Sequence, residues 1–300
     1  MDSTWFAVLL ALASALVGAI GTVLQQTEAA AAHDRGWRLL RRMLGRPRWL
    51  LGYGLGVVAV GLSGWALAVG ALLVVQPVGV TSLLFALPLA ARYYGVPMTR
   101  TQWVNAAVLT VGLAAFVAVG RPTEGDAVQP LLRWLWVVGP LLGLVAVLCL
   151  VGRREHGHRR ALLLAIGTGV MFGVQAALSK AVITLGTAGG LDLLSVVASW
   201  ELYALVIMSA ASVALQQLAF QAADLSASQP AITVLTPISG ALCGIAVFGE
   251  RLETTTGGYL VVVVAVLAMG WATIALARTA GARPAVRPPV TTSAAAQSRG

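Results

Sequence analysis

The chain is dominated by apolar stretches of about 20 residues, separated by short polar segments. A helix needs about 20 residues to cross a hydrocarbon core of roughly 30 Å. Hydrophobic residues make up 58% of the chain and charged residues 10%, and the mean hydropathy is +0.86. The hydrophobic share is higher, and the charged share lower, than in a typical soluble domain. We therefore predict an all-α, polytopic transmembrane helical bundle with about nine spans, at 4–27, 49–73, 76–95, 101–120, 131–151, 161–185, 195–220, 226–249 and 256–277.

The first apolar stretch is predicted to be a mature helix. A secretory signal peptide has a basic segment followed by a short apolar core. Here only Asp2 is charged before the stretch, and the apolar run is too long.

Arginine placement predicts the orientation. In a nine-span chain, 16 of the 19 arginines fall on one side, and only Arg121, Arg133 and Arg251 fall on the other. The positive-inside rule then places the N-terminus outside and the C-terminus in the cytoplasm. The net charge of +9 is therefore mainly a topology signal: it predicts contact with membrane lipids and no nucleic-acid partner.

An internal repeat divides the chain. Gln76-Pro77 opens the third stretch and Gln229-Pro230 opens the eighth, 153 residues later. Four spans plus one linker span make an odd number, so the two halves have opposite orientations, as in many secondary transporters. We predict a first repeat at 1–124, a linker span at 125–158, a second repeat at 159–278 and a disordered cytoplasmic tail at 279–300.

One segment resembles a known family. The residues LAFQAADLSASQPAITVLTPISGALCGIAVFGERL, at 218–252, are similar to the drug/metabolite transporter superfamily, in which the EamA-type repeat has a Ser/Ala-rich helix with an internal proline and a closing Gly-Glu-Arg-Leu. The first half departs from this pattern, because it ends Tyr94-Gly95-Val96-Pro97 without the acid. Nine spans instead of ten resemble the NIPA-type branch, which is linked to magnesium transport.

Charged residues inside membranes are candidates for function, because each costs about 2.5–3.5 kcal/mol on insertion scales. Lys180, the only lysine, lies late in the sixth stretch, and Glu201 lies early in the seventh. Both are expected at the same depth, so we predict an exchangeable pair in which Glu201 binds a proton or a cationic substrate and Lys180 releases it. A fixed ion pair or snorkelling of Lys180 is the structural alternative. Glu250 is expected in a turn at the outer surface, beside Arg251.

Other polar and aromatic residues complete the predicted site. Gln175, nearer mid-span, is expected in a cavity; for the glutamines near the cytoplasmic ends of the helices, hydrogen bonding between helices is the alternative. Trp200 and Tyr203 flank Glu201 and could stack on a cationic or aromatic ligand; for Trp200, a place in an aromatic belt is the alternative. A second set is predicted to line the cavity or form a gate: Gln25, Gln221, Gln229, Pro230, Thr233 and Pro237.

Three functions are compatible with the sequence. The favoured one is a secondary transporter of the cytoplasmic membrane that moves a small metabolite or drug-like solute by alternating access. The alternatives are a NIPA-like carrier of magnesium or another divalent cation and a non-transporting membrane scaffold. We predict no enzyme activity, because the spans lack a catalytic set, and no metal site or cofactor. The expected partners are the solute or ion, lipids and, for assembly, a second copy in a homodimer.

Overall fold

The computed structural model describes residues 3–30, 46–94, 97–126, 129–187, 193–222 and 225–281. Nearly all of these residues are helical. The helices are α1 (Ser3–Ala30), α2 (Pro47–Ala68), α3 (Leu72–Gly79), α4 (Ser82–Tyr94), α5 (Arg100–Gly120), α6 (Leu131–Gly152), α7 (Gly157–Thr187), α8 (Leu193–Ala198), α9 (Trp200–Ala222), α10 (Leu225–Cys243) and α11 (Thr256–Gly281). A π-helical turn, Gly244–Phe248, continues α10, and two short strands are β1 (Pro122–Thr123) and β2 (Arg251–Leu252).

Within the described ranges, eight helical segments are long and apolar enough to cross a membrane. One of them, Leu72–Arg92, contains α3 and most of α4. The predicted seventh span is divided at Ser199 into α8 and α9, and its apolar helical part is the shorter Trp200–Gln216. The all-α polytopic architecture is thus confirmed, whereas the count of nine, the repeats, the domain boundaries and the orientation stay predictions. Residues 282–300, most of the predicted tail, lie outside the described residues.

A small antiparallel ribbon marks one end of the bundle. Strands β1 and β2 pair in the register Pro122 with Leu252 and Thr123 with Arg251. Successive membrane-length helices run in opposite directions. The helices that end or begin beside this ribbon therefore have their other ends at the opposite face of the bundle. We call these faces the ribbon end and the arginine end. The arginine end carries Arg46, Arg48, Arg92, Arg100, Arg153, Arg154, Arg159, Arg160 and Arg278.

Small residues allow the central helices to pack closely. Helix α7 is the most buried of the membrane-length helices and α6 the least. A Cβ atom at Gly173 of α7 would lie only 2.5 Å from the backbone N of Gly240 in α10. At Gly21 of α1 it would lie 2.7 Å from the backbone O of Gly52 in α2. Both glycine pairs with a spacing of four, Gly52-x-x-x-Gly56 and Gly240-x-x-x-Gly244, therefore lie at close helix contacts.

Candidate functional site: a buried ion pair at a helix break

Lys180 and Glu250 form a buried ion pair. Lys180 Nζ lies 2.6 Å from Glu250 Oε1, and the two side chains are 4% and 0% exposed. Lys180 also donates a hydrogen bond to the carbonyl of Gly70 at 3.0 Å and lies 5.4 Å from the centre of the Phe248 ring. The ammonium group is therefore held by a carboxylate, a carbonyl and an aromatic face.

The carboxylate also caps helix α3. Because α2 ends at Ala68, the first N–H groups of α3 have no intrahelical acceptor. Leu72 N donates to Glu250 Oε1 at 2.7 Å and Leu73 N donates to Oε2 at 2.8 Å. A negative charge at this position also interacts favourably with the helix dipole. Glu250 thus accepts three hydrogen bonds, one of them from Lys180.

The backbone conformation at Gly249 directs Glu250 into the interior of the helical bundle. Gly249 has φ +73°, a left-handed conformation that favours glycine, and Glu250 N donates to the carbonyl of Gly244 at 3.0 Å. A Cβ atom at Gly244 would meet Glu250 Oε2 at 2.5 Å. One turn earlier, a Cβ atom at Gly240 would lie 2.8 Å from Gln76 Cγ. The glycine face of α10 and the π-helical turn therefore lies directly against α3.

Aromatic residues enclose the pair toward α6 and α9. Trp134 is buried and meets Phe248 edge-to-face at 5.6 Å and Trp200 at 5.7 Å between ring centres. Arg133 Nε donates to the carbonyl of Ala246 in the π-helical turn at 3.0 Å. Among the described residues, no acceptor is present for the buried Trp134 Nε1.

Glu201 lies on the other side of this aromatic cluster. It occupies the first turn of α9, directly after Trp200, and is 7% exposed. The described part of the chain supplies no hydrogen bond or ion pair to its carboxylate. Two residues beside Trp200 therefore carry polar groups without a partner among the described residues: the carboxylate of Glu201, next to it in sequence, and the buried indole N–H of Trp134, in ring contact with it.

Two expectations about the charged residues are wrong. Lys180 pairs with Glu250 and not with Glu201. Glu250 does not lie at the outer surface beside Arg251, because it is 1% exposed. The reason is the left-handed Gly249, which turns the chain back into the bundle, where the carboxylate meets the free N–H groups of α3.

No family model and no solved structure matches the chain. An uncharacterized protein of Corynebacterium glutamicum is 36% identical over 283 residues, which cover 93% of this chain and 97% of that protein. The chain belongs to the same family as this corynebacterial protein. The similarity extends over nearly the whole of both proteins.

The remaining predicted residues of this family member occupy different environments. Gln175, expected in a cavity, is half-buried, and its Oε1 accepts a hydrogen bond from Ser212 of α9 at 3.0 Å. Tyr203 is 56% exposed, so it lies away from the ion pair, whereas Trp200 contacts Trp134. Pro230, Thr233 and Pro237 lie on α10. The side chains of Gln25, Gln221 and Gln229 lie outside the described residues.

Sequence reasoning missed two participants in the site. The Gly70 carbonyl becomes an acceptor only because α2 ends at Ala68, before the polypeptide enters α3. Gln76 belongs to the repeat signature, yet its side chain lies at the contact between α3 and α10. The glycine pair Gly240 and Gly244, spaced by one turn, was the available signal for a close partner helix.

Proposed function

We propose that the chain is a secondary transporter of the cytoplasmic membrane that moves a small metabolite or drug-like solute by alternating access between two inverted halves. The observation that carries this proposal is the buried Lys180–Glu250 pair. It joins the α2–α3 break of the first half to α7 and the π-helical turn of the second. The resemblance to the drug/metabolite transporters supplies the class of protein.

A buried ion pair is costly because both charged groups lose their hydration. Replacing a buried ion pair with apolar residues is often neutral or stabilising, so such a pair is weak support for a purely structural role. Inside membranes, ionisable residues are rare and mark substrate, ion or proton pathways. A pair that connects two halves at a helix break is suited to control whether those halves separate.

The geometry provides a release step. A proton or a cationic substrate group bound at Glu250 would compete with Lys180 for Oε1 and weaken the cap on Leu72 and Leu73. Loss of these bonds would free the start of α3 from the π-helical turn at the ribbon end. The proposal thus replaces the predicted Lys180–Glu201 exchange with an exchange at Glu250.

Glu201 and Trp134 supply unsatisfied groups for a polar solute. The carboxylate of Glu201 lacks a donor and Trp134 Nε1 lacks an acceptor within the described ranges. Buried polar groups without partners are costly. A solute beside Trp200 would need a cationic or donor group for Glu201 and a hydrogen-bond acceptor for Trp134 Nε1, and we assign solute binding to this position.

Two features are compatible with inverted halves. In each half a Gln-Pro step lies in a helix that contacts the other half, Gln76-Pro77 in α3 and Gln229-Pro230 in α10. The last helices of the two halves, α5 and α11, pack together. The magnesium alternative has less support, because within the described residues no three His, Cys, Asp or Glu side chains are grouped so that they could hold a metal ion.

A ligand screen followed by transport tests the proposal. Purified protein is heated with metabolites, cationic drugs and divalent ions, because a ligand that binds only the folded state raises its stability. Any stabilising solute is then tested for uptake into proteoliposomes. Saturable uptake supports the proposal. Stabilisation by magnesium alone favours the cation carrier, and stabilisation without any transport favours a membrane scaffold.

We expect Glu201→Gln to abolish uptake of the identified solute while the protein still inserts and folds. The substitution retains the size of the side chain and removes the negative charge beside Trp200. Uptake in proteoliposomes is the measurement, and Glu253→Gln is the control, because Glu253 is an exposed acid at the same end. Wild-type uptake by Glu201→Gln would remove Glu201 from the mechanism.

A further inference from the structure

An apolar groove runs between α5 and α11 on the outside of the bundle. It has a volume of about 610 Å³, within the range of roughly 300–1,000 Å³ typical of ligand sites. Its walls consist only of glycine, alanine, valine and leucine: Val104, Ala107, Val108, Val111, Gly112, Ala115, Leu260, Val261, Val264, Ala265 and Ala268. Such a surface is suited to a hydrocarbon chain.

The length of the groove fits one membrane leaflet. On α5 it extends from Val104 to Ala115, which is about 16 Å at 1.5 Å per residue. Half of a hydrocarbon core of roughly 30 Å is about 15 Å. The groove therefore has the depth of the acyl chain of one phospholipid.

Two arginines lie beyond the groove toward the arginine end, on the same two helices. Arg100 precedes Val104 by four residues, so it lies on the same face of α5 as the groove wall. Arg278 follows Val264 by 14 residues, close to four helical turns, and lies on the corresponding face of α11. Both are exposed, and the described residues provide no acid that pairs with either.

The antiparallel register brings these arginines to the same depth. A Cβ atom at Gly112 would touch Met269 and the carbonyl of Ala265, and Gly120 lies opposite Val262. Continuing this register toward the arginine end places Arg100 opposite the last turn of α11, which contains Arg278. The two arginines thus lie at the same end of the bundle, four residues beyond the groove wall on α5 and ten residues beyond Ala268, the last wall residue on α11.

We propose that this groove binds an anionic phospholipid, with its phosphate at Arg100 and Arg278 and one acyl chain between α5 and α11. Arginine is well suited to phosphate, because its planar fork can donate two parallel hydrogen bonds. Basic pockets between transmembrane helices are an established mode of anionic headgroup binding. The site lies apart from the Lys180–Glu250 pair, so it does not depend on the proposed transport function.

The test uses the full-length protein in nanodiscs of phosphatidylcholine, with or without phosphatidylglycerol. We expect phosphatidylglycerol to raise the thermal stability and to remain bound in native mass spectrometry. Each arginine contributes about fivefold to binding of an anionic lipid, so Arg100→Gln with Arg278→Gln should weaken it roughly 25-fold. Arg251→Gln, at the ribbon end, is the matched control and should leave it unchanged.

A second variant tests the groove itself. Ala107→Phe adds a ring to the groove wall and should displace the bound lipid without removing charge, whereas Val60→Phe on the exposed face of α2 should not. Retention of phosphatidylglycerol by both the arginine double variant and Ala107→Phe would overturn the proposal. It would also be overturned if Ala107→Phe converted a dimer to a monomer without changing lipid binding, since a second copy would then occupy the groove.

Discussion

Lys180→Met is expected to destabilise the folded protein by about 3–5 kcal/mol, because it leaves Glu250 charged and buried without its cation. The carboxylate would retain only the two N–H groups of α3. Unfolding of the purified protein, followed by circular dichroism during titration with a denaturing detergent, measures the change. Arg251→Met is the control, because this neighbouring arginine is exposed and surface substitutions usually stay within about 0.5 kcal/mol.

The double variant Lys180→Met with Glu250→Gln distinguishes the energy of the Lys180–Glu250 contact from the separate contributions of the two side chains. The amide side chain introduced by Glu250→Gln can still accept a hydrogen bond from α3 and leaves no buried charge. We therefore expect the double variant to be destabilised by less than the sum of the two single substitutions. A coupling of about 2–3 kcal/mol would agree with a direct contact. Additive effects, or a Lys180→Met variant as stable as Arg251→Met, would show that the pair does not hold the two helix breaks together.

Gly173→Ala should destabilise the protein by about 1–3 kcal/mol, the usual cost of overpacking a tight core. The added methyl would lie 2.5 Å from Gly240 N and 2.7 Å from the carbonyl of Thr236, and neither backbone atom can move alone. The same detergent titration measures the effect. Ser239 should also lose its hydrogen bond to the carbonyl of Gly169, now 3.1 Å long.

Gly143→Ala provides the matched comparison. This glycine lies in α6 with nothing within 4 Å of an added Cβ atom, so alanine should stabilise the helix by up to about 1 kcal/mol. Opposite signs at the two positions would demonstrate that α7 and α10 are in close contact. Equal stabilisation at both positions would contradict the packing between α7 and α10.

The apolar stretches were sufficient to predict the helical architecture, because the length of a crossing helix is a local property of the sequence. The break between α2 and α3 was predicted to within a few residues for the same reason. Pairing of Lys180 was not predictable in this way. Depth along two neighbouring helices placed Glu201 opposite Lys180, whereas the actual partner depends on the left-handed Gly249 and on the unsatisfied N–H groups of Leu72 and Leu73.

Glu250 illustrates how an acid near a predicted turn can be misplaced. Its neighbours in sequence include the exposed Arg251 and Glu253, which are typical of a surface loop. The glycines at 240 and 244 indicated a close helix contact, but the sequence does not show which helix makes it. The free amide groups of α3 become visible only when the two segments are brought together in space.

The π-helical turn at Gly244–Phe248 also sets the length of the chain between the glycine face and the carboxylate. A π-helical turn holds one residue more than an α-helical turn, and one residue corresponds to about 100° of rotation and 1.5 Å of rise. Deleting a single residue there would restore regular helix and redirect everything that follows, including Gly249 and Glu250. The ion pair therefore depends on the one additional residue in the π-helical turn, so the number of residues in this turn matters as much as their identity.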